Sequence, residues 1–171
     1  MFSILAEREL PDYALQNSLA DKACVSIGDP GSPIPHGLDK SCPCFLRLEF
    51  FDLGESDPAR GRERIPELSD VKACIDFFRK NGHRDFVIQS ELGLGRAPAV
   101  AMGLIYLKSG KEETAKNELI SLSPRAMPNK RLVLLFDRVL GTDLRTANYL
   151  IWMKRIENMR KTIGTMPSPA S

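Results

Sequence analysis

"DFVIQSELGLGRAPAVAMGLIYL", residues 85–107, has the clearest local pattern in this chain. It opens with an apolar run typical of a buried strand, crosses a short loop with two glycines and continues as an apolar helix. Pro98 fits the first turn of that helix, because its missing N–H would have no intrahelical partner there. A glycine loop between a strand and the start of a helix indicates an anion-binding site.

Similar patterns extend this unit in both directions. Apolar runs predict further strands at 2–5, 23–27 and 44–51. Helical periodicity predicts helices at 11–20, 67–82, 111–122, 128–140 and 143–163. The alternation predicts an α/β fold with a mostly parallel central sheet of four to five strands flanked by helices. We expect one domain over residues 1–164 and a loose tail at 165–171.

Composition excludes several functions. The net charge of +2, without a long run of Lys and Arg, gives no support for nucleic-acid binding. The longest apolar stretch, Ala97–Leu107, is far shorter than the roughly 20 residues of a membrane span. The start lacks the basic segment of a signal peptide, and with four cysteines we expect a reduced, cytoplasmic protein.

Metal ligands are not apparent. The one-residue gap of Cys42-Pro-Cys44 is too short for a common zinc knuckle, and His36 and His83 have no paired spacing. We therefore predict no metal and no cofactor.

The loop "SELGLGR" has the parts of an oxyanion cradle. Gly93 and Gly95 let the backbone turn so that successive N–H groups face one concavity, and the helix adds its positive end. Arg96 adds a planar fork that matches two oxygens of a phosphate or a carboxylate. A dinucleotide fingerprint fits poorly, and no Walker lysine follows. A plain turn in which Arg96 pairs with a nearby carboxylate remains open.

Residues 89–96 resemble the H-C-x-x-G-x-x-R signature of the cysteine-dependent protein tyrosine and dual-specificity phosphatases. "VSIGDPG" and "LEFFDLGE" resemble the second strand with its turn and the acid-bearing loop of bacterial members. "LISLSPRAMPNKRLVLLFDRVLG" is similar to their R-P-x-x-x-P-N helix entry. The resemblance covers most of residues 20–141. It implies a phosphatase-like fold in which a phosphate group is held by the Arg96 side chain and by backbone N–H groups of Glu91, Leu92, Gly93, Leu94, Gly95 and Arg96.

The resemblance also assigns the remaining roles. Ser90 takes the place of the cysteine nucleophile, and Asp52 that of the general acid, with Asp57 as a second candidate. Gln89, Arg125 and Asn129 are expected to support the loop. Asp52 or Asp57 could instead cap a loop or pair with an arginine; Arg60, Arg62 and Arg64 could recognise an acidic substrate or form solvated surface.

Catalysis is in doubt because Ser90, Gln89 and Gly95 depart together from the family pattern, and Glu91 adds a negative charge at the loop. A serine hydroxyl without an adjacent base is a poor nucleophile at neutral pH. We therefore expect a pseudophosphatase that binds a phosphate-bearing small molecule or a phosphoprotein. Two alternatives are an active phosphatase with an engineered Cys-to-Ser change and an interaction scaffold without a ligand.

The last helix carries Tyr149, Trp152, Ile156, Met159 and Ile163 at helical spacing, with basic residues among them. This face predicts either packing against the sheet or a surface for a partner.

Overall fold

The chain forms four strands and six α-helices in the computed structural model, which describes residues 1–38, 42–53 and 64–164. The strands are β1 (Phe2–Ala6), β2 (Lys22–Gly28), β3 (Cys44–Glu49) and β4 (Asp85–Ser90). The helices are α1 (Leu10–Gln16), α2 (Leu68–Asn81), α3 (Arg96–Ser109), α4 (Glu112–Leu122), α5 (Lys130–Leu140) and α6 (Leu144–Gly164), with a 3₁₀ turn at Glu7–Glu9 before α1.

All four strands are parallel and lie in the order β1-β4-β2-β3. The register pairs Ala6 with Ser90, and Ser90 with Ile27, so these strands end at the same edge of the sheet. The loops after β1, β4, β2 and β3 therefore lie together at this edge. Ligands of parallel sheets bind beyond the carboxyl ends of the strands, which is this edge.

Helices cover both faces of the sheet, as the alternation of strands and helices predicts. The larger core joins alternate strand residues such as Val25, Ile27 and Ile88 to α2 and to the helices from α3 onward. The smaller core places Cys24 and Val87, which point the other way, against Leu10 of α1. The predicted α/β class with a parallel sheet is confirmed, with four strands in the part described.

Several boundaries differ from the sequence prediction. The third strand ends at Glu49 rather than at residue 51, because the chain turns there and Phe51 N–H bonds to the Arg64 carbonyl. Asp57, Arg60, Arg62 and the tail at 165–171 lie outside the described residues, and the single-domain organisation stays a prediction. No helix within the described ranges is long and apolar enough to cross a membrane.

The last helix does not pack as its apolar spacing predicts. α6 lies against α4 and α5, and Leu144, Ala147, Asn148 and Ile151 are the buried residues of its described part at 144–161. Tyr149 is 60 % exposed, so the prediction that it packs against the sheet is wrong. Helical spacing alone allows two neighbouring faces of α6 to be apolar, and the neighbouring helices decide which one is buried.

Candidate functional site

A cleft of about 700 Å³ opens at the carboxyl ends of the strands. It is lined by loop residues Glu91, Leu92 and Leu94, by Asp29 after β2, and by residues of the 3₁₀ turn after β1. The loop that the sequence singles out therefore forms part of the wall of this cleft.

Gly93 makes the turn of this loop possible. Its φ angle is +67°, and a Cβ atom added there would lie 2.8 Å from the Ala6 backbone nitrogen. A larger residue would have both a strained backbone and a steric clash with β1. Glycine is required at this position for two independent reasons.

The loop is fixed through its carbonyl groups. The carbonyl oxygen of Glu91 accepts from Glu7 N–H at 3.1 Å, that of Leu94 from Met127 N–H at 2.8 Å, and that of Gly95 from Asn129 N–H at 3.1 Å. In a planar trans peptide, the N–H of the following residue points in the direction opposite to the carbonyl oxygen. The N–H groups of 92, 95 and 96 therefore point away from these anchors, and no N–H from 91 to 95 donates to another described residue.

The guanidinium of Arg96 lies at the first turn of α3 and is 3 % exposed. Its Nη1 donates to the Phe50 carbonyl at 2.9 Å and to Asp29 Oδ1 at 2.6 Å. Its Nη2 makes a long contact of 3.4 Å with Glu91 Oε2. Its Nε is buried and donates to no described acceptor. One edge of the guanidinium is thus anchored, while the Nε–Nη2 edge has unused donor capacity.

Three carboxylates surround this single cation. Besides Asp29 and Glu91, the Asp52 Oδ2 atom lies 4.0 Å from Arg96 Nε. One positive and three negative groups give the centre an excess of two negative charges when all are ionised. The sequence left open whether Arg96 pairs with nearby carboxylates. The structure contains these pairs.

Asn129 joins the segment that carries Asp52 to the loop at residues 91–96. Its side-chain NH₂ donates to Asp52 Oδ1 at 2.7 Å and to the Leu53 carbonyl at 3.0 Å. Its Oδ1 caps α5 by accepting from Leu132 N–H at 3.0 Å. Because its backbone N–H also binds the Gly95 carbonyl, one residue ties Asp52, the loop and α5 together.

Gly95 allows Asp52 to approach the loop. A Cβ atom added at Gly95 would lie 2.6 Å from Asp52 Oδ2. The φ angle of −110° is open to any residue, so the requirement for glycine here comes from space rather than from backbone strain. The absence of a side chain at position 95 lets a carboxylate occupy that space.

Ser90 ends β4 and is buried at the base of the loop. Its hydroxyl oxygen accepts a hydrogen bond from Ala97 N–H at 3.3 Å, in the first turn of α3. No imidazole or carboxylate of the described residues bonds to it. The hydroxyl lies at the positive end of a helix, and no residue within the described ranges is placed as a base to take its proton.

Gln89 lies on the opposite face of β4 from Ser90. Its Oε1 accepts from the Ser26 hydroxyl at 2.8 Å, and Ser26 accepts from Arg47 Nη1 at 2.8 Å. Arg47 continues to the Ser32 carbonyl at 3.0 Å and passes so close to Gly28 that a side chain there would collide with it. This row of polar residues across three strands holds the loop that carries Asp29.

Arg125 is exposed and lines the cleft near Leu92 and Leu94, without a hydrogen bond to the loop. Sequence reasoning missed Asp29 and Arg47, which lie far from the loop in the chain. The available signal was position: Asp29 follows the end of a central parallel strand, where ligand-binding side chains converge.

None of the four cysteines lies at the loop. Cys42 and Cys44 lie at the amino end of β3, and Cys24 lies in the middle of β2, away from the carboxyl edge. A hydrogen bond with Cys42, together with burial, raises the pKa of Cys24, and burial raises that of Cys74 in α2. The structure offers no thiolate at the loop.

The sequence matches no protein-family model and no curated protein. Solved structures do match the fold. Human DUSP28 is similar with a TM-score of 0.57 and 18 % identity, over 82 % of this chain and 93 % of that protein. Tk-PTP in its active form has a TM-score of 0.55 and 19 % identity, with 80 % and 88 % of the two chains covered.

PTPMT1, solved in complex with PI(5)P, has a TM-score of 0.54 at 11 % identity, over 89 % of this chain and 90 % of the other. At such identities the likeness concerns architecture. The chain has the α/β fold of the protein tyrosine and dual-specificity phosphatases.

Proposed function

We propose that this chain binds a phosphate monoester group at residues 91–96 and does not hydrolyse it, acting as a binding or regulatory module. One observation carries the proposal: the Nε–Nη2 edge of the buried Arg96 has unused donor capacity beside loop N–H groups that no described residue uses. A tetrahedral anion offers the acceptors that these donors lack.

Binding requires a rearrangement of charge. Phosphate oxygens would bond to Nε and Nη2 of Arg96, each bond contributing about 1.5–3 kcal/mol. The Glu91 side chain is 64 % exposed, so releasing its contact with Nη2 costs about 0–1 kcal/mol. Asp29 can keep its place on Nη1, which the phosphate does not need. Binding at Nε also requires the Asp52 carboxylate, 4.0 Å from that atom, to move aside. The phosphate therefore replaces the Glu91 and Asp52 contacts, while the charge of Asp29 continues to oppose it.

Hydrolysis fails for lack of a nucleophile. The hydroxyl of Ser90 would have to lose its proton as it attacks phosphorus, and its only hydrogen-bond partner among the described residues is the Ala97 N–H, which is not a base. Asp52 lies at the loop, where the resemblance expects a general acid, but an acid for the leaving group does not activate an attacking hydroxyl.

The partner is a phosphate-bearing small molecule or a phosphoprotein. The wide cleft accommodates either, and the exposed cations Arg8 and Arg125 line it on the loop side. All four cysteines are free thiols, which favours a reducing compartment such as the cytoplasm.

A scaffold without a ligand is the second candidate, and the Asp29–Arg96 contact favours it. In that case the carboxylates are the permanent counter-ions of Arg96. The same calorimetric experiment decides between the two.

We expect calorimetry with inorganic phosphate to detect binding to the native chain. Arg96→Ala should abolish it, and Arg96→Lys, which keeps the charge without the fork, should weaken it roughly tenfold or more. Arg79→Ala is the matched control, since Arg79 is an exposed arginine of α2 paired with Asp76. The native chain should not turn over an aryl phosphate.

Three outcomes would contradict the proposal. No heat with the native chain would favour the scaffold, and equal heats for native and Arg96→Lys protein would place the phosphate elsewhere. Aryl phosphate turnover that Ser90→Ala abolishes would show that Ser90 is a competent nucleophile.

A further inference from the structure

A second cleft, of about 360 Å³, lies between the start of α5 and the outer face of α6. Lys130, Arg145, Asn148, Tyr149 and Trp152 line it. It shares no residue with the cleft above the phosphate loop, so its function is separate from the one proposed for that loop.

The Asn148 side chain leaves one polar atom of this cleft without a partner. Asn148 is 3 % exposed, and its NH₂ donates to the Pro128 carbonyl at 3.4 Å. The Trp152 indole N–H donates to the same carbonyl at 3.1 Å. The Asn148 Oδ1 atom accepts from no described donor. Rotating the amide would turn an oxygen toward the Pro128 oxygen, so the unused group is an acceptor.

The rim of the cleft is positively charged. Lys130 lies 4.8 Å from the centre of the Trp152 ring and pairs with no carboxylate of the described residues. Arg145 is well exposed and shares its charge only with Asp143, at 3.1 Å. A ligand that adds negative charge is therefore favoured, and one that adds positive charge is opposed.

An exposed apolar strip continues from the cleft along α6. It comprises Tyr149, Leu150 and Met153, which are 60 %, 49 % and 46 % exposed. Residues spaced three and four apart lie on one side of a helix, so the strip extends the cleft beyond the reach of a small molecule. Contiguous apolar surface beside charged residues marks a site for another protein.

We propose that this cleft and strip bind an acidic peptide segment of a partner protein. A peptide N–H of the partner donates to Asn148 Oδ1 after the Asn148 side chain moves to expose that atom, which is buried in the free chain. Carboxylates of the partner pair with Lys130 and Arg145, and an apolar side chain packs against Trp152 and Tyr149. The cationic rim of the cleft favours a negatively charged peptide. The unpaired Asn148 Oδ1 favours a backbone N–H donor, and the apolar strip on α6 favours an occupant longer than a small molecule.

A displayed library of random dodecapeptides tests this directly. The immobilised native chain should enrich sequences with a net negative charge and at least one apolar side chain. The Lys130→Glu, Arg145→Glu double variant should not enrich them. Glutamate at residue 130 suits the first turn of α5, so the variant should fold, which circular dichroism checks. Arg138→Glu, an exposed site on α5 that does not line the cleft, is the control.

The strongest peptide, synthesised without tryptophan, is then titrated while emission is recorded. Trp152 is the only tryptophan of the chain, so a spectral change reports on the cleft. We expect affinity to fall roughly tenfold or more in the double variant and to be unchanged in Arg138→Glu, by fluorescence polarisation of the labelled peptide.

Failure to enrich any peptide, enrichment of sequences without acidic residues, or equal affinity for the double variant would overturn the proposal. So would saturable quenching of Trp152 by adenosine triphosphate that is lost in the double variant, since that would assign the cleft to a small molecule. Phosphate calorimetry on the Lys130→Glu, Arg145→Glu double variant tests phosphate binding at residues 91–96 separately from peptide binding at this cleft.

Discussion

The loop at residues 91–96 and the cleft between α5 and α6 each contain a buried polar group with an unused hydrogen-bonding position, but of opposite kind. In the loop it is a donor, Arg96 Nε, and carboxylates surround it. In the cleft it is an acceptor, Asn148 Oδ1, and cations form the rim. Such a group specifies the complementary atom of a ligand, because leaving it unpaired is costly.

The two regions also differ in what holds them. Backbone groups build the loop, and a glycine turn and carbonyl anchors fix its shape. Side chains build the cleft, and charge governs what it attracts. Changes in backbone freedom should therefore damage the loop most, whereas changes in charge or in helix capping should act on the cleft.

Gly93→Ala should have the largest effect. With φ of +67° and Ala6 N only 2.8 Å from the new Cβ, the free energy of unfolding should fall by about 2–4 kcal/mol. Phosphate affinity should fall more than tenfold. Urea unfolding and phosphate calorimetry provide the two measurements.

Gly110→Ala is the matched control for this change. Its φ of +69° is nearly the same, but a Cβ atom there meets nothing within 4 Å. The loss should be about 1 kcal/mol, from the backbone alone. Equal losses at the two glycines would show that the contact with β1 does not constrain the loop.

Asp137→Ala should have an intermediate effect, confined to the cleft. Asp137 lies in the last turn of α5, and its side chain caps the start of α6. It accepts from the Thr142 hydroxyl at 2.6 Å, from Leu144 N–H at 2.7 Å and from Arg145 N–H at 3.0 Å. Losing these bonds should cost about 2 kcal/mol of stability and shift the emission of Trp152.

Phosphate affinity should be unchanged in Asp137→Ala, because none of its partners touches the loop. Asp76→Ala, at an exposed α2 residue paired with Arg79, should change stability by less than about 0.5 kcal/mol. A parallel fall in phosphate affinity would mean that the two regions are coupled.

The same contrast explains how much of the fold and of the candidate site could be predicted from the sequence. The parallel sheet and the loop follow from local patterns, since apolar runs, two glycines and Arg96 lie within a few residues of each other. The Asp29–Arg96 contact joins residues that are 67 positions apart, and no local pattern encodes it. The spacing of apolar residues on α6 leaves open whether Tyr149 is buried or exposed, because burial there depends on the helices packed against α6.

Neutralising the carboxylates around Arg96 should change phosphate affinity least of all these substitutions, and the change at Asp29 should exceed that at Glu91. A carboxylate about 6 Å from a phosphate dianion opposes binding by about 1.4 kcal/mol in water. Asp29→Asn keeps an acceptor on Nη1 without the charge, so phosphate should bind about three- to tenfold tighter. Glu91→Gln should gain only about two- to threefold, because the more exposed Glu91 can turn into solvent. Calorimetry at low salt measures both, with Glu113→Gln on α4 as the control, and weaker binding in Asp29→Asn would instead show that its charge positions Arg96.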